Sequence, residues 1–311
     1  MSGPYGGVLD SILETIGGTP LVRIRRLNPH ARRGIDILAK LEGFNPCGSV
    51  KERIAKSLLE AAERDGRLAP GKVVVESSSG NTGIGLAMAC AAKGYGLVIT
   101  MSEKQSVERR KMLRALGAEV VLTSAAGGSD EAWDRADAIA AGDPGRYVRL
   151  CQYHEAANPD AHYRGTAEEV WRQTGGLVDA FVAGLGTTGT IVGAGRRLKE
   201  LNPRCLVVAV EPVPGHRQEG LRNLKVSRVP SIYDPSVVDR TIACEDAPAW
   251  RLTRALAREE GMFCGISSGT ALFGALEVAR EWADGGRRGA IVVVLPDRGE
   301  KYLSTPVFEE T

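Results

Sequence analysis

No C-x-x-C pair occurs in the chain: its six cysteines (Cys47, Cys90, Cys151, Cys205, Cys244, Cys264) are dispersed over 311 residues. Reduced thiols therefore fit better than a zinc ribbon or a disulfide framework. The four histidines are equally scattered, so no metal-ligand spacing arises and no metal is expected. No apolar run approaches the ~20 residues that a bilayer span needs, and the opening stretch lacks the basic-then-apolar order of a secretory signal. A cytoplasmic protein without membrane attachment is expected. The net charge is only +2, which argues against nucleic acid as a partner. Arginine pairs such as Arg32-Arg33 and Arg287-Arg288 lie among acidic residues and read as solvated faces. What remains, 43% hydrophobic and 25% charged residues, describes one large globular domain or two ordinary ones with ample core.

Short apolar runs alternate with helix-length amphipathic segments. Strands are expected at Ile35–Leu41, Lys72–Glu76, Gly96–Met101, Glu119–Leu122, Ala180–Ala183, Leu206–Glu211 and Gly289–Leu295. Helices are expected at Val50–Asp65, Thr82–Lys93, Ser106–Leu116, Ser129–Ala140, Tyr163–Gln173, Thr190–Leu201, Ala247–Gly261 and Gly269–Trp282. This alternation predicts an α/β protein with mainly parallel sheets. Continuous runs such as Ile291-Val292-Val293-Val294 suit strands covered on both faces. A strand, a Ser/Gly loop and a helix follow one another in Lys72–Lys93 and again in Ala180–Leu201, so two sheets are expected. A domain boundary suits Cys151–Pro159, where Ala-Ala-Asn-Pro interrupts the pattern.

Three loops carry chemistry. Asn45-Pro46-Cys47-Gly48-Ser49-Val50-Lys51 puts a lysine just beyond a Pro/Gly turn, and a primary amine can hold a carbonyl cofactor. Ser78-Ser79-Gly80-Asn81-Thr82-Gly83 offers hydroxyls and amides at a helix start; it reads as a seat for a small carboxylate or as an N-capping turn. Gly186-Thr187-Thr188-Gly189-Thr190 is a phosphate cradle of the same kind. With Gly184 it also satisfies G-x-G-x-x-G, and Glu211 ends the next strand, so a dinucleotide reading must be weighed. Gly265-Ile266-Ser267-Ser268-Gly269 precedes another helix, and Pro296-Asp297-Arg298-Gly299 follows the last strand.

In this order, together with Ile16-Gly17-Gly18-Thr19-Pro20 and Ser106-Val107-Glu108-Arg109-Arg110-Lys111, the motifs span nearly the whole chain. They resemble the cysteine synthase family of fold-type II pyridoxal-phosphate enzymes, nearest its B type, the O-acetylserine or O-phosphoserine sulfhydrylases. The resemblance implies two three-layer α/β domains with mainly parallel twisted sheets and the cofactor, pyridoxal 5'-phosphate, in the cleft between them. Residues 45–154 would form a smaller mobile domain, and 1–44 with 155–311 a larger one. Lys51 would be the Schiff-base lysine and the base for the substrate α-proton. Asn81 would meet the cofactor ring hydroxyl, Gly186, Thr187, Thr188, Gly189 and Thr190 its phosphate, and Ser267 its pyridine nitrogen. Ser78, Ser79, Thr82 and Gln152 would grip the substrate carboxylate. The implied reaction is β-replacement through an α-aminoacrylate, making L-cysteine from O-phospho-L-serine or O-acetyl-L-serine. The neutral serine at the ring nitrogen would favour elimination over transamination.

Departures from the family pattern bear on substrate. Ser78 stands where threonine is usual, keeping the hydroxyl without the methyl. Gly220-Leu221-Arg222-Asn223 replaces the glycine-rich stretch of A-type synthases, and Arg222 there could pair with a phosphate leaving group or be a surface arginine. Cys47 is a reactive thiol near the cofactor or a packed small residue. The sulfur donor stays open among sulfide, thiosulfate and a sulfur-carrier protein, and a homodimer is implied. Alternatives are a synthase joining O-phosphoserine to an amino-acid nitrogen, an S-sulfocysteine synthase, an NAD-dependent dehydrogenase, and a catalytically idle binding protein.

Overall fold

The structure is a computed structural model, which describes residues 7–78, 80–105 and 107–309. Its strands are β1 (Leu21–Arg23), β2 (Ile35–Leu41), β3 (Val73–Ser77), β4 (Gly96–Ser102), β5 (Glu119–Thr123), β6 (Tyr147–Arg149), β7 (Ala180–Gly184), β8 (Leu206–Pro212), β9 (Arg240–Cys244) and β10 (Gly289–Leu295). Its α-helices are α1 (Lys51–Arg64), α2 (Asn81–Lys93), α3 (Val107–Ala115), α4 (Gly128–Gly142), α5 (Ala157–Ala161), α6 (Ala167–Gln173), α7 (Gly189–Leu201), α8 (Asp246–Glu260) and α9 (Ile266–Asp284).

These elements form two compact units. The smaller comprises the described residues up to Gly17 and Asn45–Asn158; the larger comprises Gly18–Phe44 and the chain from Pro159. The smaller sheet runs β5-β4-β3-β6, all parallel. The larger runs β1-β2-β10-β7-β8-β9, parallel except for the β1 edge. Side chains alternate across a strand, and both faces are covered. Ile291, Val293 and Leu295 pack with Leu256, Leu272 and Ala275 of α8 and α9. Val292 and Val294 turn the other way, onto Val170 of α6 and Ile191 and Leu198 of α7. In the smaller sheet Val74 joins Leu58 and Ile84 of α1 and α2, while Val75 meets Ala136 of α4. Coverage on both faces is why Val73–Val75 and Ile291–Leu295 are unbroken apolar runs.

Three strands have no counterpart in the sequence expectations. β1 and β6 have three residues each, too few to show a period, and β9 is a half-exposed edge. The helix expected at Tyr163–Gln173 begins earlier, as α5, and passes through a π-helical turn, His162–Thr166, into α6. Pro159 sits in the first turn of α5, where a missing N–H costs nothing. The described residues up to Gly17 belong to the smaller unit, whereas the sequence division grouped them with the larger. Leu13 and Ile16 pack in the smaller unit's core, and Lys56 Nζ donates to the Leu13 carbonyl at 3.2 Å.

Among the described residues, no helix is long and apolar enough to cross a membrane. None of the six cysteines is in a disulfide; Cys47 alone is half-buried, packed against the smaller core, and the other five are buried. Burial pushes the Cys90, Cys205, Cys244 and Cys264 thiols up to about 12 and Cys151 up to about 11. Since the thiolate is the nucleophile, a disulfide reagent at pH 8 should modify Cys47 first. The other five should react only on adding denaturant; their rapid modification in the native protein, read by peptide mass spectrometry, would contradict this packing.

Candidate active site

In a parallel sheet all strands end on one side, and ligands bind where the strand order reverses. Each unit has such a point. In the smaller, the chain moves outward from β3 through β4 to β5 and then returns to β6 on the other side of β3. In the larger it moves outward from β7 through β8 to β9 and returns to β10. The loops beyond β3 and β6 carry Ser78 and Gln152, and the loop beyond β7 carries Gly186–Thr190.

The smaller unit brings Lys51, Ser78, Asn81, Thr82 and Gln152 to one end of its sheet. Lys51 opens α1 behind a capping arrangement. The Ser49 N–H and hydroxyl donate to Glu52 at 2.9 and 2.8 Å, and the Ser49 Oγ accepts from the Lys51 N–H at 3.1 Å. Helix α2 lies directly on this first turn. A Cβ on Gly85 would stand 3.2 Å from the Lys51 carbonyl oxygen, a tight contact that glycine avoids where the two helices approach. Asn81 is the first residue of α2. The Ser78 Oγ accepts from the N–H groups of Gly83 (2.9 Å) and Gly80 (3.4 Å), which leaves its O–H to donate. The Thr82 hydroxyl donates to Gln152 Oε1 at 2.6 Å, which turns the Gln152 Nε2 into the donor end. Ser78 thus caps the first turn of α2, as the N-capping reading expects. Ser79 lies outside the described residues, as does Ser106.

Two residues that support this loop were not singled out from the sequence, Glu76 and Arg149. Glu76, at the end of β3, is fully buried and accepts from Ser77 N–H and Arg149 Nη1, each at 2.7 Å, and from Gln152 N–H at 3.2 Å. Burial pushes its carboxyl up to about 7, against the pull of the Arg149 guanidinium. A Glu before a Ser/Gly loop was visible in the sequence; its partner, 73 residues away, was not.

In the larger unit Gly186–Thr190 leads from β7 into α7. Thr188 is the one described non-glycine residue with positive φ, 70°, which costs a β-branched residue on the order of 1–2 kcal/mol. Its Oγ1 is buried with no hydrogen-bond partner among the described residues, although buried hydroxyls are ordinarily paired. Gly186 packs so closely that a Cβ would lie 2.7 Å from the Gly220 carbonyl oxygen. Thr190 Oγ1 is 3.2 Å from Nε2 of His162, a buried histidine in the π-helical turn. Arg222 is half-buried, and its backbone N–H donates to the Leu185 carbonyl at 2.8 Å, placing the 220–222 segment beside the cradle. Ser267 is buried in the first turn of α9. Glu211, the candidate ribose-binding acid of the dinucleotide reading, is buried and accepts from the Leu224 N–H. Among the described residues no three His, Cys, Asp or Glu side chains gather as a metal would need.

The pyridoxal-phosphate dependent enzyme family matches residues 12–297. The chain belongs to this family. It is 44% identical over 309 residues to cysteine synthase of Aquifex aeolicus, covering 99% of this chain and 94% of that one. It is likewise 44% identical to cysteine synthase B of Salmonella typhimurium, covering 97% of each. The crystal structure of cysteine synthase (OASS) from Entamoeba histolytica superposes with a TM-score of 0.93 at 37% identity, covering 100% of this chain and 94% of that one. The fold is accordingly the family's α/β arrangement with mostly parallel sheets, and the cofactor is pyridoxal 5'-phosphate. The residues present fit its phosphate: an unpartnered buried hydroxyl on Thr188 and the amides opening α7 are donors for an anion.

Replacing Gly186 by alanine forces the cradle away from Gly220. The variant should melt a few degrees lower, as overpacking of ~1–3 kcal/mol implies, and should hold pyridoxal phosphate at least tenfold more weakly, about the effect of losing one charge-assisted hydrogen bond. Fluorescence titration of the cofactor-free protein measures this; unchanged affinity would mean that the cradle does not hold the phosphate.

Proposed function

We propose that the protein is a pyridoxal-phosphate dependent β-replacement enzyme that makes L-cysteine from an activated serine and a sulfur donor. The observation that carries the reading is the presence of Lys51 with a carboxylate-seating loop in one unit and a phosphate cradle in the other. The curated relatives named as cysteine synthases, matched over nearly their full length, support it. Bound pyridoxal phosphate supplies an electron sink for the pair left when the substrate α-proton departs.

The residues divide the remaining work. Lys51 Nζ would hold the cofactor and would serve as the base for the substrate α-proton. The Ser78 O–H, the Gln152 amide and the amides opening α2 bind the substrate carboxylate; Ser79 and Thr82 belong to the same loop. Asn81 donates to the cofactor ring hydroxyl. Gly186, Thr187, Thr188, Gly189 and Thr190 take the phosphate, and Ser267 faces the ring nitrogen as a neutral partner.

Arg222 selects O-phospho-L-serine as a substrate alongside O-acetyl-L-serine. Its support is the position of the 220–222 segment against the cradle and the planar fork that a guanidinium offers a phosphate. The enzyme works in the cytoplasm as a homodimer, with sulfide, thiosulfate or a sulfur-carrier protein as donor; six cysteines outside any disulfide accord with a reducing compartment.

Steady-state assays of cysteine formation with sulfide test this reading. Both esters should be consumed by the wild-type protein, and Arg222→Ala should raise KM for O-phosphoserine by about 10- to 100-fold, as loss of a charge-assisted contact of ~1.5–3 kcal/mol implies. KM for O-acetylserine should move less than about threefold, since a neutral ester offers the guanidinium no charge. No cysteine from either ester would refute the function; an equal effect on both would refute the role of Arg222.

A further inference from the structure

We propose that the buried Glu76–Arg149 pair is a positioning clamp that sets the geometry of the substrate-carboxylate seat, an inference that rests on the functional reading above. Glu76 touches both arms of the seat through its two oxygens. Oε1 accepts from the Ser77 N–H, one residue before Ser78, and Oε2 accepts from the Gln152 N–H. Strands β3 and β6 are adjacent and parallel, but their ladder ends at Val75 and Arg149, so beyond it the carboxylate of Glu76 does the joining.

Arg149 fixes that carboxylate. Its Nη1 lies 2.7 Å from Glu76 Oε1 and 3.1 Å from the Leu150 carbonyl, and its Nε is 2.8 Å from Asp137 Oδ1 on α4. Gln152 is then held from three sides: by Glu76 at its N–H, by Asn158 Nδ2 at its carbonyl (2.7 Å) and by Thr82 at its side-chain oxygen (2.6 Å). This set of bonds uses the Gln152 N–H, carbonyl and Oε1 and leaves Nε2 as the donor end. The Thr82 hydroxyl gives its proton to the bond with Gln152, so Thr82 acts on the carboxylate through Gln152. All three groups facing Glu76 are donors. A glutamine in its place would turn an NH2 toward one of them and leave Arg149 with the half-exposed Asp137 as its remaining carboxylate partner, a costly arrangement.

The test compares wild type, Glu76→Gln and Asp137→Ala as holoenzymes. Asp137 is half exposed, so its loss loosens Arg149 without opening the core. L-Alanine, which has an amine and a carboxylate but no leaving group, is titrated against the cofactor's visible absorption, with ethylamine as the probe lacking a carboxylate. Glu76→Gln should weaken L-alanine about tenfold and Asp137→Ala about two- to threefold, the range spanned by losing a buried charged partner and a half-exposed one. Ethylamine affinity and bound cofactor per chain should stay at the wild-type level. A folded Glu76→Gln with wild-type L-alanine affinity, or one that weakens both amines equally, would overturn the clamp. If Glu76→Gln does not fold, Asp137→Ala decides, and an unchanged L-alanine affinity there overturns it. A wild-type protein that takes up pyridoxal phosphate yet ignores L-alanine would overturn the functional reading and the clamp with it.

Discussion

Everything chemical in this protein depends on the parallel alignment of its sheets. Because each strand of the smaller sheet runs the same way, the loops that follow β3 and β6 emerge side by side, and β7 and β10 repeat the arrangement in the larger. A helix starting just beyond such a strand aims its unpaired N–H groups at the same edge. Asn81 and Gly189 open α2 and α7 at these edges. Neither loop needs a charged side chain to receive an anion, which is why both are written in glycine, serine and threonine.

The same alignment imposes a constraint that the chain meets with buried ion pairs. Loop residues beyond the strand ends lose ladder hydrogen bonds, and something else must hold them. In the smaller unit Glu76 with Arg149 does so. In the larger, Lys40 is buried and donates to Glu169 and to the Thr19 carbonyl, each at 2.7 Å, while Glu169 accepts from the Gly18 N–H at 2.9 Å. Such pairs contribute little net stability because desolvation opposes their attraction. What they contribute is geometry: each carboxylate has donors on two sides and one angle that satisfies them.

Much of this was legible in the sequence. Ile35–Leu41 and Gly289–Leu295 match their expected bounds to the residue, since short segments dominated by branched apolar residues have few other solutions. The order of motifs placed the family, because Lys51, the Ser/Gly loop and the threonine-rich loop each sit at a helix start. Three-residue strands such as β6 were not legible, for local pattern cannot report a partner supplied by tertiary pairing. The early start of α5 was missed because proline was read as a breaker rather than a first-turn residue. Glu76, Arg149 and His162 escaped because their roles lie in partners 73, 73 and 28 residues away.

The central claim is that Lys51 carries the cofactor. Borohydride reduction of the purified protein loaded with pyridoxal phosphate, followed by proteolysis and mass spectrometry, tests it most directly. The account predicts a phosphopyridoxyl group on the peptide containing Lys51 and on no other lysine at comparable yield. A label confined to another lysine, or no label on a protein that binds the cofactor, would contradict it.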